Sequence, residues 1–293
     1  NIVLREHEIF SQCDRIQEEL PNFMRGFFAY LKGNVLPMTR LAYLHDIRFF
    51  CQYLIDETGL TEAEKIKDIK LAEFNRIKAV DVNIYIDYCR SYRVENDDEI
   101  IIYENTSKTL ARKKSSVSVL FKQLYRDELI DKNITDGFDP IRVPKAGERE
   151  IKALQDDEVM IMLDAVTTGA NLTPKELQYW EKTKKRDKAI LILFLTYGLR
   201  LFELQQLNVS SFNFNRGEFK IYRKRDKEAI MPLNESVTEV LLDYLENERA
   251  DDEKIQEGHK DALFLSLQGR RMTERAIRDL AKKYTSIGLA TSR

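Results

Sequence analysis

The sequence has 293 residues, of which 47 are Lys or Arg and 49 are Asp or Glu, giving a formal net charge of −2. That length suits two ordinary domains. A hydrophobic share of 43% beside 33% charge excludes collagen-like and disordered chains. It also excludes a uniformly basic, histone-like nucleic-acid binder, though not a locally basic face. Eleven Gly and six Pro are about half the usual share, which points away from a turn-rich all-β fold and toward helix.

In chain order, residues 4 to 134 read as helices. Leu44, Ile47, Phe50, Cys51 and Leu54 recur at helical spacing, with Thr39 near the N-cap and Leu41, His45, Arg48 and Gln52 opposite the core face. A second helix is expected near Val80–Tyr92 and a third over Ser107–Asp127. The segment Val94–Asn105, acidic and then apolar, gives no clear element. Pro140–Lys152 is polar and charged and reads as a linker. Gln155–Glu158 forms an acidic helix start, Gly169–Lys185 reads as a polar loop, and Asp187–Tyr197 as a buried helix broken by Gly198. A short helix, Arg200–Leu207, follows. The period then changes to two: Phe212 and Phe214, a turn at Asn215–Gly217, Phe219 and Ile221, a basic turn at Arg223–Lys227, and a third short strand, Ala229–Met231. Asn234 caps a further helix, and the last runs over Thr273–Tyr284 with Gly288 beyond it.

No apolar run approaches the roughly 18 residues a membrane span needs. Arg5, Glu6, His7 and Glu8 interrupt any secretory leader, so a cytoplasmic protein is expected. Cys13, Cys51 and Cys89 are scattered, as free thiols of a reducing compartment are, and His7, His45 and His259 show no metal-ligand spacing. Neither phosphate-cradling glycine motif is present, nor HExxH, nor a recognisable Ser or Cys nucleophile. No cofactor and no metal are therefore expected.

The clearest binding surface is Ser107–Asp127, where six Lys or Arg stand against one Asp. At about 100° per residue, Lys108, Arg112, Ser115, Lys122 and Arg126 share an arc of roughly 80°, with Lys113 and Lys114 at its flanks. Leu110, Val117, Leu120, Phe121 and Leu124 lie opposite. Such a face suits phosphate contact, and its competing explanation is a solvated amphipathic helix. Thr39, Arg40 and Arg48 on the earlier helix are weaker candidates. In the second half, Lys184, Lys185, Arg186, Arg270, Arg271, Arg275 and Arg278 are candidate phosphate contacts. Arg200 and Glu203 sit one helical turn apart, a pairing that on its own reads as an ordinary ion pair.

Thr196-Tyr197-Gly198-Leu199-Arg200-Leu201-Phe202-Glu203-Leu204 resembles the first signature box of tyrosine recombinases, the phage-integrase and Xer family, whose pattern is T-G-L-R-x-x-E-L. Arg223 to Leu233 is similar to that family's hairpin segment, G-K-G-x-K-x-R-x-V-P-L. Thr39–Leu54 and Ser107–Asp131 resemble its helical core-binding domain. The long first helix and the Gly169–Lys185 insertion are more like single-recombinase Xer proteins of Firmicutes or mobile-element integrases.

The resemblance implies a mainly α fold, with a helical, SAM-like DNA-binding domain over 1–139, a linker over 140–152, and a catalytic domain over 153–293. That second domain is mostly helical with a small three-stranded antiparallel sheet. It implies Arg200 as a catalytic arginine, Lys224 as the hairpin general acid and Glu203 as the acidic residue that holds the site. The reaction implied is site-specific cutting and rejoining of duplex DNA through a 3′-phosphotyrosyl intermediate, by four copies on paired sites. The family's next box, H-x-x-R, and its nucleophilic tyrosine do not occur before Arg293, so the resemblance implies a chain incomplete as a catalyst. Tyr284 precedes the place of that box and is not assigned as the nucleophile. Two alternatives stand beside this reading. One is a non-catalytic DNA-binding protein on the same scaffold, and the other is a helical interaction module.

Overall fold

The computed structural model describes residues 2–96, 99–144, 153–223, 227–249 and 252–291. The fold is mainly α, 61% helix and 10% strand, and the chain divides into two compact units, Asn1–Glu150 and Ile151–Arg293. Of the linker expected over 140–152, residues 145–152 lie outside the described set.

In the first unit, α1 (Ile2–Glu19), α2 (Arg25–Asn34), α3 (Pro37–Asp56), α4 (Leu71–Arg76), α5 (Ala79–Tyr88) and α6 (Ser107–Arg126) enclose one core. α6 forms because its apolar residues return every turn. Leu110, Val117, Leu120, Phe121 and Leu124 are all buried. Thr106 caps its start by accepting the Thr109 N–H, and Glu128, at φ 57°, closes its end as Leu129 N–H reaches back to Leu124 O. Phe50 of α3 joins the helices: its ring centroid lies 4.8 Å from Tyr85 and 6.3 Å from both Phe74 and Phe121.

α3 begins earlier than expected. Pro37 occupies its first turn, where a missing N–H costs nothing, and Thr39 lies within the helix rather than at its cap. Leu41, expected on the outer face, is buried in the core. α5 stops at Tyr88, because Tyr92 is already in a strand. The segment without a clear element is an antiparallel hairpin, β1 (Ser91–Asn96) with β2 (Glu99–Glu104), in register Tyr92↔Tyr103 and Val94↔Ile101. Tyr92 stacks on Tyr103 at 5.3 Å and packs against Phe49 of α3 at 5.1 Å. Ile100 and Ile102, on the other face, are 63% and 58% exposed. Apolar residues on both faces erase the period-two signal, which is why the sequence did not declare the hairpin.

In the second unit, α9 (Lys184–Tyr197) is central, with Ala189, Ile190, Leu191 and Leu193 buried. Its first N–H groups, of Lys185 and Arg186, donate to the Glu248 carboxylate at 2.7 and 2.9 Å. Glu248 lies just past α11 (Glu235–Asn247), whose own start is capped by Asn234. Between α7 (Asp156–Thr168) and α9, the expected polar loop contains another helix, α8 (Pro174–Trp180). Thr173 and Glu176 cap it reciprocally, and the Trp180 indole N–H donates to Val166 O at 2.8 Å. After α10 (Leu201–Gln205), strands β3 (Phe212–Asn213), β4 (Glu218–Arg223) and β5 (Lys227–Pro232) form an antiparallel sheet in the order 3-4-5, as expected, with Phe219 and Ile221 turned into the core.

α12 (Glu274–Thr291) runs past Gly288 instead of ending before it. At Gly288 α12 lies close against α7: a Cβ there would stand 2.5 Å from the Glu158 carbonyl oxygen. The glycine serves packing, not termination. We expect Gly288→Ala to force the two helices apart and to cost about 1–3 kcal/mol, read as a lower midpoint in thermal unfolding. An unchanged midpoint would refute the close contact.

Candidate nucleic-acid interface and phosphate site

The cationic face of α6 is offered to solvent where the helical arc places it. Lys108, Arg112, Ser115, Lys122 and Arg126 are all exposed, and the Arg126 guanidinium lies 5.5 Å from the Tyr30 ring. Ser115 Oγ donates to Ala111 O at 2.8 Å. The flanking lysines behave differently. Lys114 Nζ donates to Asp139 O at 2.6 Å. Lys113 lies one residue on from Arg112, a turn of about 100° that carries it to the core border. It is buried, its Nζ 3.9 Å from the Phe49 ring centre and 3.6 Å from Asp46 Oδ1. The ammonium of Lys113 is therefore not offered to solvent.

On α3 the candidate cations turn toward α1. Arg40 is buried with Nη2 3.4 Å from Asp14 Oδ1, and Arg48 pairs with Glu19 at 3.1 Å. Thr39 is half-buried. Asp46, which the sequence reading passed over, is buried between α3 and α6 and accepts from Arg112. Burial pushes its carboxyl up, while Arg112 and Lys113 pull the other way. Its signal was a carboxylate set among Leu44, Ile47 and Phe50, where only a paired acid is tolerated.

In the second unit, Gly198 ends α9 in the left-handed region, at φ 57°. Arg200 then takes the N-cap position of α10. Its backbone N–H donates to Glu203 Oε2 at 2.9 Å, and its Nη1 to Oε1 at 2.7 Å. Glu203 is 5% exposed while the Arg200 side chain is 73% exposed. One buried carboxylate thus fixes both the helix start and one edge of an outward guanidinium. The other end of α10 is held by Arg271, which donates to Gln205 O at 2.9 Å and Leu207 O at 2.8 Å and also to the Asn208 side chain. Arg271 was expected as a phosphate contact, and the structure turns it inward as a clamp on this helix. No motif marks that role, since it depends on a fold-back of more than sixty residues.

Tyr197 ties the same corner to the sheet. Its ring lies 4.9 Å from Phe219, and its hydroxyl accepts the Asn234 N–H at 3.1 Å. α10 packs against β4, the strand that leads into the basic turn. Lys224 itself lies outside the described residues; Arg223 and Lys227, flanking it, are paired across β4 and β5.

The other candidate cations of this unit divide similarly. Arg186 turns to buried Asp187 at 2.8 Å and to Leu265 O at 2.9 Å. Lys185 reaches Asp243, Lys184 reaches Glu181, and Arg270 reaches Gln256. Arg278 is exposed, and Arg275 pairs loosely with Asp279 at 3.7 Å. Tyr284 is fully buried, its hydroxyl 3.3 Å from Asp187 Oδ2. Burial pushes that phenol far up and the Asp187 carboxylate adds to the shift. Tyr284 is therefore a core residue. Among the described residues no cluster of His, Cys, Asp and Glu is arranged to hold a metal ion, and no helix is long and apolar enough to cross a membrane.

The phage integrase family matches residues 152–289. Tyrosine recombinase XerC of Alcanivorax borkumensis is 30% identical over 179 residues, 61% of this chain and 53% of that protein. XerC of Natranaerobius thermophilus is 28% identical over 83% of this chain and 75% of its own length, and XerD of Staphylococcus epidermidis 27% identical over 70% and 68%. The chain thus spans about half the length of the first of these relatives. In fold, it is similar to lambda integrase residues 75–356 bound to DNA, with a TM-score of 0.55, 14% identity, and coverage of 96% of this chain and 78% of that one. The second unit thus matches the phage integrase family over nearly its whole length, and Xer tyrosine recombinases are among the relatives of the chain.

We expect Arg271→Ala to leave the Gln205 carbonyl unpaired and the Leu207 carbonyl with the Leu263 N–H alone, and to cost about 2 kcal/mol, seen as a lower urea midpoint. Arg271→Lys, which lacks the fork, should recover only part of that loss. Full recovery by Lys would refute the clamp.

Proposed function

We propose that the protein is a site-specific DNA recombinase that cuts and rejoins duplex DNA, with Arg200 and Lys224 acting on one scissile phosphate. The reading rests above all on Arg200: an exposed guanidinium whose inner edge is fixed by buried Glu203. A phosphodiester under attack gathers charge on its non-bridging oxygens, and a planar guanidinium held in advance binds two of them without reorganising. Glu203 positions Arg200 rather than touching the phosphate. Lys224, which follows β4 in the sequence, protonates the 5′ oxygen as it leaves. The nucleophile is a tyrosine of the family's later boxes. Its oxygen forms a bond to phosphorus as the bond to the 5′ oxygen breaks, and the covalent link conserves the bond for rejoining. The family resemblance supplies that tyrosine's role. The chemistry needs neither nucleotide nor metal.

In the same reading the domain over residues 1–139 binds DNA through the outer face of α6, and residues 153–293 carry the catalysis. Thr39 and Arg48 of α3 are weaker candidates for the same contact. A solved lambda integrase of the same fold is a tetramer bound to a Holliday junction. Four copies on two sites, acting in the cytoplasm, are the matching proposal here.

The full-length protein offered a nicked recognition site should trap a covalent protein–DNA adduct. Arg200→Ala should lower adduct formation about a hundredfold or more with duplex binding nearly unchanged, whereas Tyr284→Phe should leave the adduct intact. An adduct that survives Arg200→Ala removes the assignment. Duplex binding should also weaken steeply as salt rises, because released counterions drive it. A chain that shows no duplex binding at low salt is not a DNA-binding protein.

A further inference from the structure

We infer that Asp46 is a positioning residue for DNA-backbone binding, holding the Arg112 guanidinium so that its outer edge faces a phosphate. The inference rests on the reading of α6 as a DNA face. Asp46 is 3% exposed and Arg112 41%, so the pair spans the boundary between core and solvent. Arg112 Nη1 is engaged on the inner side, donating to Asp46 Oδ2 and, at 3.3 Å, to Ala42 O. Its Nε and Nη2 have no partner among the described residues. A guanidinium is planar and rigid, so fixing one nitrogen fixes the direction of the others. A flexible surface arginine must lose that freedom when it meets a phosphate; here much of it is lost on folding.

A carboxylate beside a phosphate-binding group repels the phosphate, and the surroundings answer that objection. Lys113 Nζ stands 3.6 Å from the other oxygen, Asp46 Oδ1, buried against Phe49. Two cations face one carboxylate, so the cluster keeps one positive charge, and the part nearest solvent is the arginine fork. Lys113 contributes by neutralising Asp46 rather than by touching DNA. The same face carries Lys108 and Ser115 one turn to either side of Arg112, which places the oriented fork in the middle of the cationic line.

The test is salt-dependent binding of a random-sequence DNA duplex by the full-length protein, with Asp46→Asn, Arg112→Ala, Arg112→Lys and the Asp46→Asn/Arg112→Ala pair. Simple electrostatics says that Asp46→Asn, which removes a negative charge, tightens binding. Positioning says the opposite: affinity falls about five- to tenfold and the salt slope drops by about one phosphate contact. In the Arg112→Ala background Asp46→Asn should change nothing further. Arg112→Lys, which keeps the charge on an exposed position and loses the fork, should bind about as weakly as Arg112→Ala, and it carries the test should Asp46→Asn fail to fold. Asp46→Asn binding as tightly as the unaltered protein or tighter overturns the inference. So does an equal loss in the Arg112→Ala background, or Arg112→Lys binding normally. If the unaltered protein shows no duplex binding, the DNA reading fails first and the inference falls with it; a failure of positioning alone leaves that binding intact.

Discussion

A buried carboxylate gripping an arginine is the interaction on which both units turn. Taking Asp46, Asp187 and Glu203 out of water costs several kcal/mol each unless hydrogen bonds and a cation replace the lost solvation. In each case an arginine supplies the replacement: Arg112, Arg186 and Arg200. Because the acid cannot move, the arginine cannot either. Whether that produces structure or a binding group depends on where the remaining guanidinium edge points. Arg186 spends it on a backbone carbonyl, while Arg112 and Arg200 direct it outward.

The same constraint explains why some cations of a basic surface are not binding groups. Charge counting treats Lys113 and Lys122 alike, yet the nine residues between them put the two on opposite sides of α6, Lys113 over an aromatic ring and Lys122 in solvent. Arg271 differs from Arg278 in the same way. Its guanidinium terminates a helix by binding the Gln205 and Leu207 carbonyls, and burial disfavours its charge enough to lower its pKa. Positive charge in this chain is divided between holding the fold and facing outward, and local geometry makes the division.

What could be read before folding follows from range. The core face of α6, the cap at Asn234 and the three-stranded sheet are set by neighbours within a few residues, and they stand as expected. The Arg200–Glu203 spacing was visible because the two residues are one turn apart on one short helix. Features set by distant contacts were not visible. Gly288 looked like a helix stop because its reason for being small is the Glu158 carbonyl on another helix. Asp46 and Arg271 carried no motif, since their partners are brought together only by tertiary packing. The β1–β2 hairpin was hidden by isoleucines on both of its faces.

The chain has a single tryptophan, Trp180, buried on α8 with its indole N–H on Val166 O and the Lys184 ammonium 4.5 Å from its ring. The first unit has none. Indole emission therefore reports on the second unit, whereas the first offers tyrosines, Tyr88, Tyr92 and Tyr103 stacked among them. Unfolding of the second unit can in this way be followed by its own emission, with no label attached.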